Sequence, residues 1–210
     1  MSVVHEVMVS IPTKENIHAE TVGWLLNAIK NCNKLGYGLG VHIVYSPFPI
    51  ECQRNNQFKD FLLKENAKYT HIFLLDSDCV PMEGTIEKLL DHDKDIVASV
   101  APSLIKGAHC FTAAWYRPDE PAEDRFRMLE VNNEKAHGLQ KVDGVGATGV
   151  LIKRHVIETM KYPWFKVEYT DDAKIVRGED YYFCHAAQEA GFEIWADFDL
   201  RQRHYKTIAL

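Results

Sequence analysis

The stretch HIFLLDSDC, residues 71 to 79, places Ile72, Phe73, Leu74 and Leu75 in a row with no polar residue between them. A strand with one wet face alternates apolar and polar side chains. An unbroken apolar run ended by turn formers instead fits a strand covered on both faces, in the middle of a parallel sheet. Such a strand asks for helices on either side, and the alternating order of strands and helices favours an α/β sandwich over a bundle or an all-β barrel. The flanking sequence supplies them. HEVMVSIPT reads as a first strand stopped at Pro12, followed by helical spacing over 17–35 and a glycine-rich stop, LGYGLG. VHIVYS is a second strand closed by PFP, and a helix is expected from about Gln53 to Glu65. TIEKLLDHD reads as a short helix and DIVASVAP as a further strand. Residues 103 to 140 lose periodicity and read as a long irregular excursion with a hairpin near FRMLEVNN. Order returns in VDGVGATGVLIKRHVIETM, in the helix GEDYYFCHAAQEAG ended by Gly191, and in the alternating strand FEIWADFDL. The expected fold is one α/β domain over residues 1–210, a Rossmann-like α/β/α sandwich with a mostly parallel central sheet.

Composition narrows the partners. A net charge of −6 argues against nucleic acid, because duplex binding needs a clustered basic surface. Five cysteines with no C-x-x-C pair indicate neither a disulfide framework nor a structural zinc site, and suggest reduced thiols in a cytoplasmic setting. No apolar run reaches the roughly 18 residues of a membrane span.

The same apolar strand runs straight into Asp76 and Asp78, at the strand end where ligands of open α/β sheets collect. In extended chain, residues two apart point the same way, so both carboxylates could address one ligand, such as Mg²⁺ or Mn²⁺. The pair could also simply begin a turn. If a helix starts near Gly178, Asp180 shares a stripe with Phe183, Cys184 and Ala187, and the helix N-terminus would favour its ionised form. Glu179 beside it reads equally as an ordinary first-turn acid. His204, in RQRHYKT, is a competent ligand for Mn²⁺ or an ordinary surface residue, with Arg203 and Lys206 nearby for anionic oxygens.

In order along the chain stand an Arg-Asn pair before HIFLLDSD, the glycine-rich VDGVGATGVLI, GEDYYFCHAAQEAGFEIWAD and a terminal histidine. This order resembles the GT-A glycosyltransferases, especially the family 2-like group, over nearly the whole chain. In its compact size the chain also resembles a glycosyltransferase domain encoded by a chlorella virus. The resemblance implies a metal-dependent transfer of a sugar from a nucleotide-diphosphate donor, a UDP-sugar above all, to a glycan or glycoconjugate hydroxyl, with inversion. It implies a nucleotide-sugar half, residues 1–100, and an acceptor and catalytic half, 101–210. Pro12 and Thr13 would border the nucleobase, Arg54 and Asn55 would reach ribose or diphosphate, and Ser77 and Lys206 would add donor contacts. Asp78 and His204 would hold Mn²⁺ or Mg²⁺, with Asp76 on ribose or a metal-bound water. Asp180 would be the catalytic base and Glu179 its partner. Trp115 and Trp164, beside the irregular segments, suit sugar stacking as well as plain packing. One departure stands out: no aspartate follows the second strand, where VYSPFP leaves Tyr45 or Ser46 to meet the base. A nucleotidyltransferase and a non-catalytic carbohydrate-binding module of the same fold are the alternatives.

Overall fold

The computed structural model describes residues 5–105, 107–120, 125–169, 171 and 173–206. The first half contains β1 (Glu6–Thr13), α1 (Ala19–Lys34), β2 (Gly38–Tyr45), α2 (Ile50–Leu62), β3 (His71–Leu74), β4 (Cys79–Val80), α3 (Thr85–Asp91) and β5 (Ile96–Val100). After it come β6 (Pro102–Ile105), β7 (Ala108–Tyr116), β8 (Phe126–Glu130), β9 (Leu139–Val142), β10 (Gly144–Val145) and β11 (Val150–Lys153). The chain continues through α4 (Arg154–Thr159), β12 (Glu168–Tyr169), β13 (Ile175–Arg177), α5 (Glu179–Glu189), β14 (Ile194–Arg201) and β15 (Arg203–His204).

Seven strands form the central sheet in the order β2-β1-β3-β11-β5-β14-β9. As the unbroken apolar run required, β3 lies in its interior, and its neighbours divide between two cores. Ile72 and Leu74 face a cluster with Phe58, Phe165 and Phe183, while Phe73 and Leu75 face another with Trp24, Ile86 and Leu89. Each such fully buried side chain contributes about 1.5–3 kcal/mol, so the run holds both layers on the sheet.

The sheet is mixed. The strand pairs β1–β2, β1–β3 and β5–β14 are parallel, whereas β11 is antiparallel to β3 and β5, and β9 to β14. The chain leaves β5 at its carboxyl end, builds a second sheet there from β6, β7, β8 and β10, and re-enters from the same end. β11 therefore has to run downward between its neighbours.

That second sheet corrects the reading of residues 103–140 as irregular. β7 is nine residues long and pairs with β6, β8 and β10. Its register with β8 shifts between Cys110 and Ala114, and buried residues come in adjacent pairs, Cys110–Phe111 and Ala113–Ala114. A bulge of this kind erases the period-two signal by which a strand is recognised. Part of the acidic YRPDEPAED stretch, residues 121–124, lies outside the described residues. α2 begins at Ile50, earlier than the periodicity indicated, because Pro49 supplies a suitable backbone just before the first turn. In the stretch YTDDAKIVRGED, β13 pairs antiparallel with β12, and residues 170 and 172 lie outside the described residues. Among the described residues no helix is long and apolar enough to cross a membrane.

Candidate active site

A cleft of about 650 Å³ opens at the carboxyl ends of β1 and β3. Its edge is the end of β1, where Pro12 and Thr13 line it and the Thr13 hydroxyl donates to the carbonyl of Asn16 at 2.9 Å, curling the following loop over the rim. α2 contributes Gln53 and Arg54 from its first turns. Arg54 is 2% exposed, a cation shut away from water, which is tolerable only with partners. It ion-pairs with Asp76 through Nη2 and donates from Nη1 to Gln57 Oε1 at 3.1 Å. Its Nε is buried with no hydrogen-bond partner.

Asp76, Ser77 and Asp78 all line the cleft, but not as consecutive residues of an extended strand. β3 ends at Leu74, and the three residues turn, the N–H of Cys79 donating back to the Asp76 carbonyl at 3.2 Å. The expected same-side alternation is thereby lost. Asp76 faces Arg54, its N–H donating to Thr148 Oγ1 at 3.0 Å, whereas Asp78 faces the last strand. β15 runs antiparallel to β4 with His204 opposite Cys79, and the Tyr205 N–H donates to the Asp78 carbonyl at 2.9 Å. His204 Nε2 stands 3.5 Å from Asp78 Oδ2. Its Nδ1 lies 3.0 Å from the Pro102 carbonyl, and because a carbonyl only accepts, Nδ1 carries the proton and Nε2 is the nitrogen turned to Asp78. Burial works to raise the Asp78 pKa, but the hydrogen bond and charge of His204, with Lys206 behind, outweigh it and hold the carboxyl below its usual range. The hydrogen bond to Asp78 raises that of His204 against its burial.

This donor set suits a hard or borderline divalent cation. Asp78, Cys79 and His204 offer ligand atoms within 4.8 Å of one another. The Cys79 thiol is fully buried, and burial together with Asp76 pushes its pKa upward, so it stays protonated and leaves Asp78 oxygen and His204 nitrogen as the ligands. A carboxylate and an imidazole oriented by a backbone carbonyl are donors that fit a divalent cation such as Mn²⁺. Asp76, held by Arg54, stands outside that group.

The loop between β10 and β11 forms the floor through Gly146, Ala147 and Thr148. Gly149 closes it at φ +71, and a Cβ there would collide with Gln202 and Ser99, so no other residue fits. Opposite, α5 starts after Gly178, and Glu179 and Asp180 line the cleft while Phe183, Cys184 and Ala187 are buried below, as the stripe predicted. The ionisation state differs from the expectation. Tyr181 N–H donates to Asp180 Oδ1 at 2.8 Å, yet burial and then the charge of Glu179 outweigh this and Arg54, raising the Asp180 pKa to about 7.

Six sequence-derived residues fall elsewhere. Asn55 points from α2 away from the cleft: its amide donates to the carbonyls of Glu51 and Phe165 and accepts from the N–H of Trp164 and Phe165. Neighbouring residues of a helix are rotated by about 100° from each other, so Arg54 faces the cleft and Asn55 the packing beside Phe165. Trp164 is buried against Phe58, and Trp115 stacks on Phe198 with ring centroids 5.9 Å apart while donating to the Lys141 carbonyl. Both rings are packing elements rather than open platforms. Tyr45 is 71% exposed outside the cleft, Ser46 is engaged by the Phe48 N–H, and Arg203 lies over the Tyr205 ring on the side opposite His204. Conversely, Gln53 and Thr148 line the cleft unannounced; their only signal was adjacency to Arg54 and to the glycine-rich loop.

No protein-family model matches the chain, and no curated protein matches it. Solved structures do. The A197 protein from STIV superposes with a TM-score of 0.61 at 21% identity, over 96% of this chain and 86% of that one. GalNAc-T7, crystallised with UDP, GalNAc and Mn²⁺, gives 0.63 at 11% identity, over 99% of this chain and 45% of that one. The catalytic domain of Drosophila beta1,4-galactosyltransferase 7, in complex with xylobiose, gives 0.52 at 13% identity, over 92% and 65%. The chain thus spans under half of the GalNAc-T7 chain and just under two thirds of the Drosophila domain. The architecture is the α/β fold of GT-A transferases, and it resembles nucleotide-sugar glycosyltransferases.

Proposed function

We propose that this chain is a metal-dependent glycosyltransferase that moves a sugar from a UDP-sugar to a hydroxyl of a glycan or glycoconjugate, with inversion at the anomeric carbon. One observation carries the reading: a single cleft gathers Arg54, Asp76, Asp78, Asp180 and His204 from remote parts of the chain, with cation ligands at one side and a carboxyl of raised pKa at the other. Sugar transfer builds positive charge on the anomeric carbon and negative charge on the departing diphosphate. Asp78 and His204 would hold Mn²⁺ or Mg²⁺, which when bound supplies Lewis-acid stabilisation of the leaving group. Lys206 adds a positive charge felt at the same two residues. Arg54, tethered by Asp76, offers its unused Nε–H to a ribose or phosphate oxygen. Asp180 takes the proton from the attacking hydroxyl, and a pKa of about 7 suits a base that works at neutral pH. Glu179, which helps raise that value, orients the base or the acceptor. The relative crystallised with UDP, GalNAc and Mn²⁺ supports the donor class and cofactor.

The test is a panel of UDP-sugars with and without Mn²⁺, read first as ligand-dependent thermal stabilisation and then as UDP release in the presence of sugar acceptors. UDP release supports glycosyl transfer. Pyrophosphate release from a nucleoside triphosphate would instead identify a nucleotidyltransferase, and binding without any turnover a carbohydrate-binding module.

A further inference from the structure

Resting on that donor reading, we infer that the side-chain oxygen of Gln53 is the acceptor for the uracil N3–H, and so a specificity-determining residue for the nucleobase. Tyr45 and Ser46, the residues that the sequence left for this contact, do not serve it: the first points into solvent outside the cleft, and the hydroxyl of the second is occupied by the Phe48 N–H at 3.2 Å. The chain passes from β2 through that segment into α2, whose first turn brings Gln53 into the cleft beside Pro12 and Thr13.

Gln53 is 2% exposed, and its Nε2 donates to the Phe48 carbonyl at 2.8 Å. Because a carbonyl can only accept, the amide nitrogen must face Phe48, and the orientation of the group is fixed. Oε1 is then left buried with no hydrogen-bond partner. A buried acceptor without a donor is a standing cost in the free protein, relieved when a ligand brings an N–H. The place is right for a base. The cation pair Asp78–His204 marks the diphosphate end, beyond β3, while Gln53 sits at the β1–β2 corner, toward the outer edge of the same cleft. A nucleoside diphosphate held by its phosphates at the first point extends its base toward the second. Glu15 and Asn16 also line the cleft but are exposed, so water already satisfies them. A neutral amide oxygen also accepts the imide N–H without adding negative charge near the diphosphate.

The experiment measures binding of UDP and of N3-methyl-UDP by calorimetry in the presence of Mn²⁺, to the wild-type chain and to Gln53→Met, with thermal melts confirming that the variant folds. The expected result is that wild type binds UDP at least about tenfold more tightly than the methylated analogue, the worth of one buried hydrogen bond, and that Gln53→Met loses this preference. Equal binding of the two nucleotides by wild type overturns the inference and leaves the donor reading standing. So does a preference that Gln53→Met retains. Should that variant not fold, Gln53→Asn, which keeps an amide but draws its oxygen back by one methylene, takes its place and should weaken the preference; a preference that it keeps in full overturns the inference. Failure of UDP to bind at all overturns the donor reading itself, and this inference with it.

Discussion

The two ends of the central sheet each carry a cavity, about 650 Å³ at the carboxyl ends of β1 and β3 and about 600 Å³ at the opposite end, yet they differ in what their polar groups have left to do. At the far end, Lys153 Nζ lies 2.7 Å from Asp93 Oδ1 and 3.4 Å from Asp95, and Arg154 donates to the carbonyls of Tyr69, Phe61 and Asn66 while lying over the Phe61 ring. Burial, then the charge of His5, lowers the His71 pKa to about 4, so its ring is neutral, and Nδ1 is matched with the Thr70 hydroxyl at 2.8 Å. Only a ring nitrogen of His5 stands buried and unpaired among the described residues lining it. At the carboxyl end, Arg54 and Gln53 each keep a buried atom without a partner, burial and Glu179 raise the Asp180 pKa to about 7, and Asp78 and His204 face each other across 3.5 Å. Volume does not separate the two cavities. Unspent hydrogen-bonding and charge do, because each is a cost that a ligand can remove.

Substitutions at the two ends should separate them accordingly. Asp180→Asn should reduce sugar transfer by about 10²- to 10⁴-fold while leaving UDP binding with Mn²⁺ nearly intact, as read by turnover and calorimetry on one preparation. Wild-type turnover in that variant would remove the base from the scheme. His204→Ala should weaken Mn²⁺-dependent UDP binding on the order of 10²-fold, with metal-free binding little changed. The pH dependence sharpens the contrast further. In the free enzyme kcat/KM should fall as pH drops through about 7, where Asp180 gains its proton. The sign for stability is the reverse: because the folded-state pKa is raised, protonated Asp180 favours the fold, fully below its ordinary value of 3.8 and progressively less as pH rises to about 7. Urea melts of wild type and Asp180→Asn across that range should show the wild-type chain losing stability relative to the variant as pH rises; parallel curves would contradict the raised pKa. The smallest effect on turnover belongs to the opposite end. Arg154→Ala should cost about 3 kcal/mol of stability in urea melts, through three carbonyls left without their donor, and leave turnover per folded molecule unchanged.

Much of this was legible in the sequence. The apolar run of β3 announced a strand between two cores, and Ile72 and Leu74 do face one while Phe73 and Leu75 face the other. The stripe of Phe183, Cys184 and Ala187 placed Asp180 at the head of α5 on the side of the fold. Where the reading went astray, a local pattern was asked for something it does not hold. The bulge in β7 removed alternation from a real strand. Trp115 and Trp164 were open to both stacking and packing because an aromatic ring has the same composition whether its face is open or covered. Asn55 shared Arg54's place in the chain but not its face of the helix, and Asp76 and Asp78 were taken as extended when the backbone turns between them.

The sequence by itself determined the order and type of most elements, the two-sided burial of the central strand and the identity of the acidic and imidazole groups, since periodicity is set residue by residue along one element. Tertiary structure alone decided that His204 meets Asp78 and that Asp76 meets Arg54. It also decided that the Asp180 pKa is raised and that Gln53 Oε1 lacks a donor. The physical reason is that hydrogen bonds and desolvation depend on ångström-scale distances between groups far apart in the chain. Those distances follow from strand register and from which segment covers which, as in the antiparallel seating of β15 on β4, and no local run of residues encodes them.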